Sequence, residues 1–317
     1  MFSNLIKEAT HLYARFTHKT NFIATPQLCC IHLHSNTISL ASISRKSGQP
    51  DLLLCDISSY QKEEDFSTAL ALLVKKNHLE NVPCSLLLNS EQYQLLQIEA
   101  LPVTPAEFQA AIRWKIKDLI HIPLNDAVID HFPMPLQKTA NPQKMMTVVV
   151  ASLNYLQKIS DKIKTCGLNL TTIDIPELGL RNIAGLYERD EKSTALIYLQ
   201  ENQNQLLITR QKNVYFSRRL EAGLETNLDK LALEVQRSFD YYQSQWRQPP
   251  PANVVFATTS LDLVKDLSQR LTTPVEILDL AQQMTVLQKL DLQQQTNYLL
   301  AIGGALRENG GADATTN

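Results

Sequence analysis

The sequence has little glycine: 9 of 317 residues, about 3% where about 7% is usual. Loops that wrap phosphates need glycine, because a β-carbon blocks close backbone approach and disfavours positive φ. A glycine-rich phosphate cradle is therefore not expected. No apolar run approaches the roughly 20 residues that span a bilayer. The N-terminus has no apolar core followed by a small-residue cleavage site, so no secretory leader is expected. An excess of one charge is missing too. Lys and Arg number 30, Asp and Glu 32, and they are interspersed, giving a formal net charge of −2. That balance excludes a surface built to track nucleic-acid phosphates. The five cysteines (Cys29, Cys30, Cys55, Cys84 and Cys166) are odd in number and lack metal-finger spacing. Buried thiols in a reducing compartment are the expectation. Cys166 has no His or Asp beside it in sequence to support a nucleophile.

What is present is a 44% hydrophobic chain, long enough for two packed lobes. Phe2, Leu5, Ile6, Ala9, Leu12, Tyr13 and Phe16 form one helical stripe, with Lys7, His11, Arg15 and His18 nearby. Residues 1–25 therefore read as an amphipathic helix. Two readings stand for it, docking on its own domain or facing a membrane surface or partner. The spacing then predicts a hairpin around Ser35-Asn36 within 28–42, a strand over 52–57, a helix over 66–78 and strands over 84–88 and 94–98. Thr104-Pro105-Ala106-Glu107 is a capping box with proline at the first helical position. It opens a helix predicted to run to Ile120, with Phe108, Ala111, Ile112, Ile116, Leu119 and Ile120 inward. Strands over 128–134 and 145–151, a helix over 153–166 closed by Gly167, and a strand over 170–175 follow.

From Thr194 the pattern restarts. A meander (194–199, 205–209, 214–220) leads to a helix over 228–246, stopped by Pro249-Pro250-Pro251. A strand (254–257), a helix (261–271), a strand (275–278) and a last helix ending at 305–307 complete it. Two meander-plus-helix halves imply internal duplication and an α/β fold with mixed sheets. A strand–helix–strand–strand unit, about 96–151, interrupts the first half. The expected domains are 26–193, carrying that insert, and 194–307, with a small polar tail at 308–317 expected to be disordered.

Several segments resemble one family. Leu101-Pro102 through Pro123, with Ala110-Ala111-Ile112-Arg113-Trp114 and Ile120-His121-Ile122-Pro123, is similar to the inserted subdomain of the PilM/MshI family of type IV pilus assembly proteins. So are Val128-Ile129-Asp130, Val148 to Ser152, Cys166-Gly167-Leu168 with Ile173-Asp174, Phe216-Ser217-Arg218-Arg219, Glu234 to Ser238 with Tyr241-Tyr242, and Ala301 to Arg307. The resemblance implies an actin-like, ribonuclease H-like two-lobed fold with an FtsA-like insert. It implies a cytoplasmic location, peripheral to the bacterial inner membrane. It also implies a scaffold role in a type IV or MSHA-type pilus platform. The implied partner is a PilN-like single-pass membrane protein, whose short N-terminal segment would lie between the first-lobe core and the insert. Assembly motor ATPases and self-association are further implied partners. Trp114, Leu119, Ile120 and Ile122 are the candidate groove residues. Trp114 lies opposite its helix's apolar stripe, so it either packs under another subdomain or anchors the partner.

In that family, ATP-binding members carry Asp-x-Gly-Ser in the first hairpin and a lysine soon after. Here the matching stretch runs from His32 to Ser39. His32 stands at the aspartate, His34 at the glycine, Ser35 at the serine and Ser39 at the lysine. Tyr198 and Gln200 stand at an aspartate and a glycine of the second hairpin, and Ala257-Thr258-Thr259 replaces a glycine pair. The implied reading is a non-enzyme with degenerate nucleotide motifs that uses no ATP, Mg²⁺ or other cofactor. The alternative is a divergent ATP-binding ATPase or nucleotide switch, which predicts glycine and acidic ligands at these positions. His32 and His34 share a strand face near Cys29 and Cys30, but no spacing supplies the further ligands a metal needs. Tyr241, Tyr242 and Trp246 read as core or lobe interface.

Overall fold

The computed structural model describes residues 27–137, 142–200 and 203–308. The expected helix at 1–25 and the tail from 309 onward lie outside the described residues. Glu308, the first residue of the expected tail, is described and forms an ion pair with Lys212 at 2.9 Å.

The first half supplies strands β1 (Gln27–His34), β2 (Thr37–Ser44), β3 (Asp51–Ser59), β4 (Pro83–Leu87) and, after an insert, β8 (Asn169–Asp174). The second half supplies β9 (Thr194–Tyr198), β10 (Gln205–Arg210), β11 (Asn213–Arg219), β12 (Asn253–Ala257), β13 (Val275–Ile277) and the short β14 (Thr285–Val286). The first sheet has the order β14-β3-β2-β1-β4-β8, the second β11-β10-β9-β12-β13. In each, an antiparallel meander is continued by two parallel strands. One strand order thus occurs twice.

Helices α1 (Phe66–Lys76) and α3 (Leu153–Thr165) cover the outer face of the first sheet. Helices α5 (Leu228–Trp246) and α6 (Leu261–Arg270) cover that of the second. Between the sheets lie α4 (Pro176–Ala184) and α7 (Leu292–Ala305). There Leu180, Ile183, Leu299 and Ile302 share one core with Ala41 and Ile43 of the first sheet and Leu207 and Val255 of the second. Three of the nine glycines serve this crossing. A β-carbon on Gly303 would stand 2.7 Å from the carbonyl carbon of Gly179, and one on Gly304 would overlap Cys30 Sγ. Three other described glycines, Gly48, Gly167 and Gly223, take positive φ at turns or caps.

The expected division at 193/194 needs correction in its last part. β14 pairs with β3, and α7 packs against β1, β2 and β4, so the chain's end returns to the first sheet. The insert is also slightly larger than expected. It comprises β5 (Tyr93–Glu99), α2 (Pro105–Ile116), β6 (Ala127–Pro133) and β7 (Met145–Ser152), in the sheet order β5-β7-β6. The Thr104–Glu107 capping box forms as expected. The helix stops at Ile116, four residues early, and Leu119 is 50% exposed rather than inward. Tyr242 and Trp246 are buried as expected, but Tyr241 is 53% exposed, its ring beside Phe216 at 5.5 Å. All five cysteines are free and buried. Burial raises the thiol pKa of Cys30 and Cys55 far above the ordinary value, so both are inert thiols.

Candidate functional site

Two clefts adjoin the junction of the lobes. The first, about 550 Å³, lies between the β1–β2 hairpin, the β9–β10 hairpin, the start of α6 and the start of α7. It collects His32, His34, Ser39, Tyr198, Gln200 and Thr258 from the sequence-derived set. Ser35 is not among its lining. It sits at the hairpin tip with φ 50°, its carbonyl accepting from the Tyr60 hydroxyl at 3.2 Å.

At the point where the hairpins meet, Gln203 reaches across from the second half. Its Nε2 lies 3.3 Å from His32 Nε2, 3.1 Å from His34 Nδ1 and 3.0 Å from Asn89 Oδ1. A carboxamide nitrogen only donates, and its two protons are shared among these three neighbours. Burial, and secondarily His34, lowers the pKa of His32 to about 3. The rest of the described lining is amide and hydroxyl groups with Ile57, Leu199 and Leu263. Tyr198 donates to Gln200 Oε1 at 3.3 Å, Gln200 donates to Asn297 Oδ1 at 2.9 Å, and Thr258 Oγ1 accepts from Ser260 N. No Asp, Glu, Lys or Arg is among its described lining residues. A magnesium–polyphosphate needs carboxylates for the metal and cations or bare amides for the oxygens. Among the described lining residues neither charge is present. Among the described residues no group of three or more His, Cys, Asp or Glu side chains is placed to hold a metal ion. The two imidazoles are parallel at 6.3 Å, with the Gln203 amide between them.

The second cleft, about 460 Å³, lies between the insert and the second sheet. On one side are Tyr93, Gln94, Leu95 and Gln97 of β5, with Phe132, Met134 and Thr147. On the other are Val214 to Ser217 of β11, and Ser90, Glu177, Gln205 and Arg219 complete it. Successive side chains of a strand point to opposite faces. A cleft touched by consecutive residues therefore borders the strand's edge. Both β5 and β11 are outermost in their sheets. The cleft thus runs from the β5 edge and the adjoining Leu95–Thr147–Phe132 face of the insert sheet to the edge of β11, with mixed apolar and polar walls and a polar floor. Across the floor, Tyr93 donates to Glu177 at 2.6 Å, and Gln205 Nε2 bonds Glu177 at 3.0 Å and Ser217 at 2.7 Å. Burial raises the Glu177 pKa, and burial with the adjacent Glu177 raises that of Tyr93.

The four sequence-derived groove residues do not line this cleft. Ile120 and Ile122 pack into the insert's own core with α2. Trp114 is 70% exposed, with Lys117 Nζ 5.6 Å above its ring. α2 covers the face of the insert sheet that carries Ile98, Val148 and Ile129, whereas the cleft meets the face carrying Leu95, Thr147 and Phe132. The helical wheel placed Trp114 outside correctly. Which face of the sheet turns toward the second lobe has no signature in local sequence, so Leu95, Phe132, Phe216 and Glu177 were missed. Gln203 was missed for the same reason.

No family model matches the sequence, and no curated protein does. Among solved structures the chain is similar to a PilM–PilN type IV pilus biogenesis complex, with a TM-score of 0.68 at 15% identity over 88% of this chain and 97% of that one. Weaker likenesses include the cytoplasmic domain of EpsL, an inner-membrane component of the Vibrio cholerae type II secretion system, with a TM-score of 0.48, 12% identity, and 86% and 94% of the two chains covered. A Bacteroides thetaiotaomicron protein with an actin-like ATPase fold has a TM-score of 0.47, 9% identity and coverages of 88% and 99%. The fold is an actin-like α/β fold with mixed sheets, as the sequence led one to expect. Among the described residues no helix is long and apolar enough to cross a membrane.

Proposed function

We propose that the chain is a non-catalytic, peptide-binding scaffold of a type IV, MSHA-type pilus platform at the cytoplasmic face of the inner membrane. Its ligand is the short N-terminal segment of a PilN-like single-pass membrane protein, held extended. The observation that carries this reading is the cleft between the edges of β5 and β11. Extended peptides bind such edges through main-chain hydrogen bonds, with alternate side chains in flanking pockets. Leu95, Phe132 and Met134 on one wall and Tyr215 and Phe216 on the other are suited to apolar side chains. The similarity in fold to a PilM bound to PilN, and the family motifs in shared order, support the choice of partner.

The hairpin cleft takes no part as an ATP site on this reading. Neutral His32, the intervening Gln203 amide and described lining residues without Asp, Glu, Lys or Arg favour a scaffold without nucleotide or metal. The test is calorimetric titration of the full chain with Mg-ATP and with a synthetic peptide from the partner's N-terminus. Heat from the peptide alone is expected. Heat from Mg-ATP without the peptide overturns the proposal and favours a nucleotide switch.

A further inference from the structure

Glu177 is a carboxylate with only 4% of its surface exposed, yet it lines the cleft between β5 and β11. Its oxygens accept from three neutral donors, Tyr93 Oη at 2.6 Å, Gln205 Nε2 at 3.0 Å and its own backbone amide. Arg219 lines the same cleft but is tied elsewhere, donating to Ser90 O and reaching the Tyr93 hydroxyl. An ionised carboxylate offers about four acceptor sites, so capacity remains toward the cleft. Arg219 is the cation already acting on this buried carboxylate, without a direct ion pair to it, and an entering cation that bonds it directly relieves its burial further. The walls suit a cation on an apolar stem. Phe132, Met134, Tyr215 and Phe216 surround the entry with methylene-compatible and aromatic surface.

Resting on the reading that this cleft holds an extended peptide, we infer that its floor receives a cationic nitrogen of that peptide, with Glu177 as the acceptor. Lys, Arg or the α-ammonium group supplies the same chemistry. Glu177 is then the specificity-determining residue of the cleft, Tyr93 and Gln205 position its carboxylate, and Arg219 competes with the incoming cation.

The experiment is a fluorescence-anisotropy titration with three probes: the partner's N-terminal peptide, a copy with every Lys and Arg replaced by norleucine, and an Nα-acetylated copy. Glu177→Gln is expected to weaken the parent peptide about tenfold or more, the scale of a lost charge-assisted hydrogen bond. The copy that has lost the recognised charge binds wild type and Glu177→Gln alike. Loss on norleucine replacement identifies a side chain, and loss on acetylation the α-ammonium. Arg219→Met, at an exposed position, is expected to tighten the parent peptide. It decides the matter should Glu177→Gln fail to fold, and unchanged or weaker affinity then overturns the inference. Equal binding of all three probes to wild type, or an unaltered Glu177→Gln, overturns the inference and leaves the peptide-scaffold reading intact. Failure of every probe to bind wild type overturns both.

Discussion

Replacing Gln203 by alanine removes the amide that joins the second half to the β1–β2 hairpin and to Asn89. The wild-type Nε2 faces three acceptors at 3.0 to 3.3 Å but carries two protons, so two bonds form at once. Each neutral hydrogen bond nets about 1 kcal/mol, and a buried acceptor left bare adds about 1–3 kcal/mol. His32 is buried and cannot turn to solvent. The expected loss is about 3–5 kcal/mol, a fall in melting temperature of roughly 6–10 °C for a chain of this size. Urea and thermal unfolding measure it. Hydrogen exchange localises it, with faster exchange expected over 32–39 and 203–206 and no change in the insert. A midpoint within about 0.5 kcal/mol of wild type, the range of ordinary surface substitutions, refutes the reasoning and makes the amide exchangeable with water.

The His32 pKa of about 3 sets a pH dependence. Its folded value lies below the model-compound value of 6.5, so the unfolded chain binds the proton first. The associated stability is present above pH 6.5 and is lost as pH falls toward 3, by ~1.4 kcal/mol per pH unit. Asp130, raised to about 6 by burial, works the other way, its contribution being present at low pH and lost as pH rises through 6. The informative quantity is therefore the difference between wild type and His32→Leu in urea melts from pH 7 to 4, where the variant should lack the His32 slope. Gly303→Ala forces a β-carbon against backbone that no rotamer change relieves. A loss of at least 1–3 kcal/mol by denaturant titration is expected, the usual range for overpacking. Trp114→Ala, on the outer face of α2, should leave both the melting temperature and peptide affinity within error.

Much of the fold was legible because its signals are local. The Ser35-Asn36 turn, the Thr104–Glu107 capping box and the 228–246 helix with its proline stop depend on neighbours within a few residues. The repeated strand order followed from the restart at Thr194. The return of β14 and α7 to the first sheet was not legible. A two-residue strand has no periodicity, and α7 from Tyr298 to Ala305 is apolar all round because that part is buried between two sheets. The degenerate hairpin positions could be aligned from sequence, and the structure brings six of the seven into one cleft. The peptide-sized cleft could not. Its walls are strand edges from distant segments, and edges are created by sheet order rather than by local pattern.

The most direct test of the peptide-scaffold account is photo-crosslinking of a partner N-terminal peptide carrying benzophenone, followed by mapping of the adducts. The account predicts adducts on β5 and β11, around residues 93–97 and 214–217, and loss of crosslinking in Leu95→Lys. Adducts on the outer face of α2 around Trp114, or in the hairpin cleft around Gln203, would contradict it.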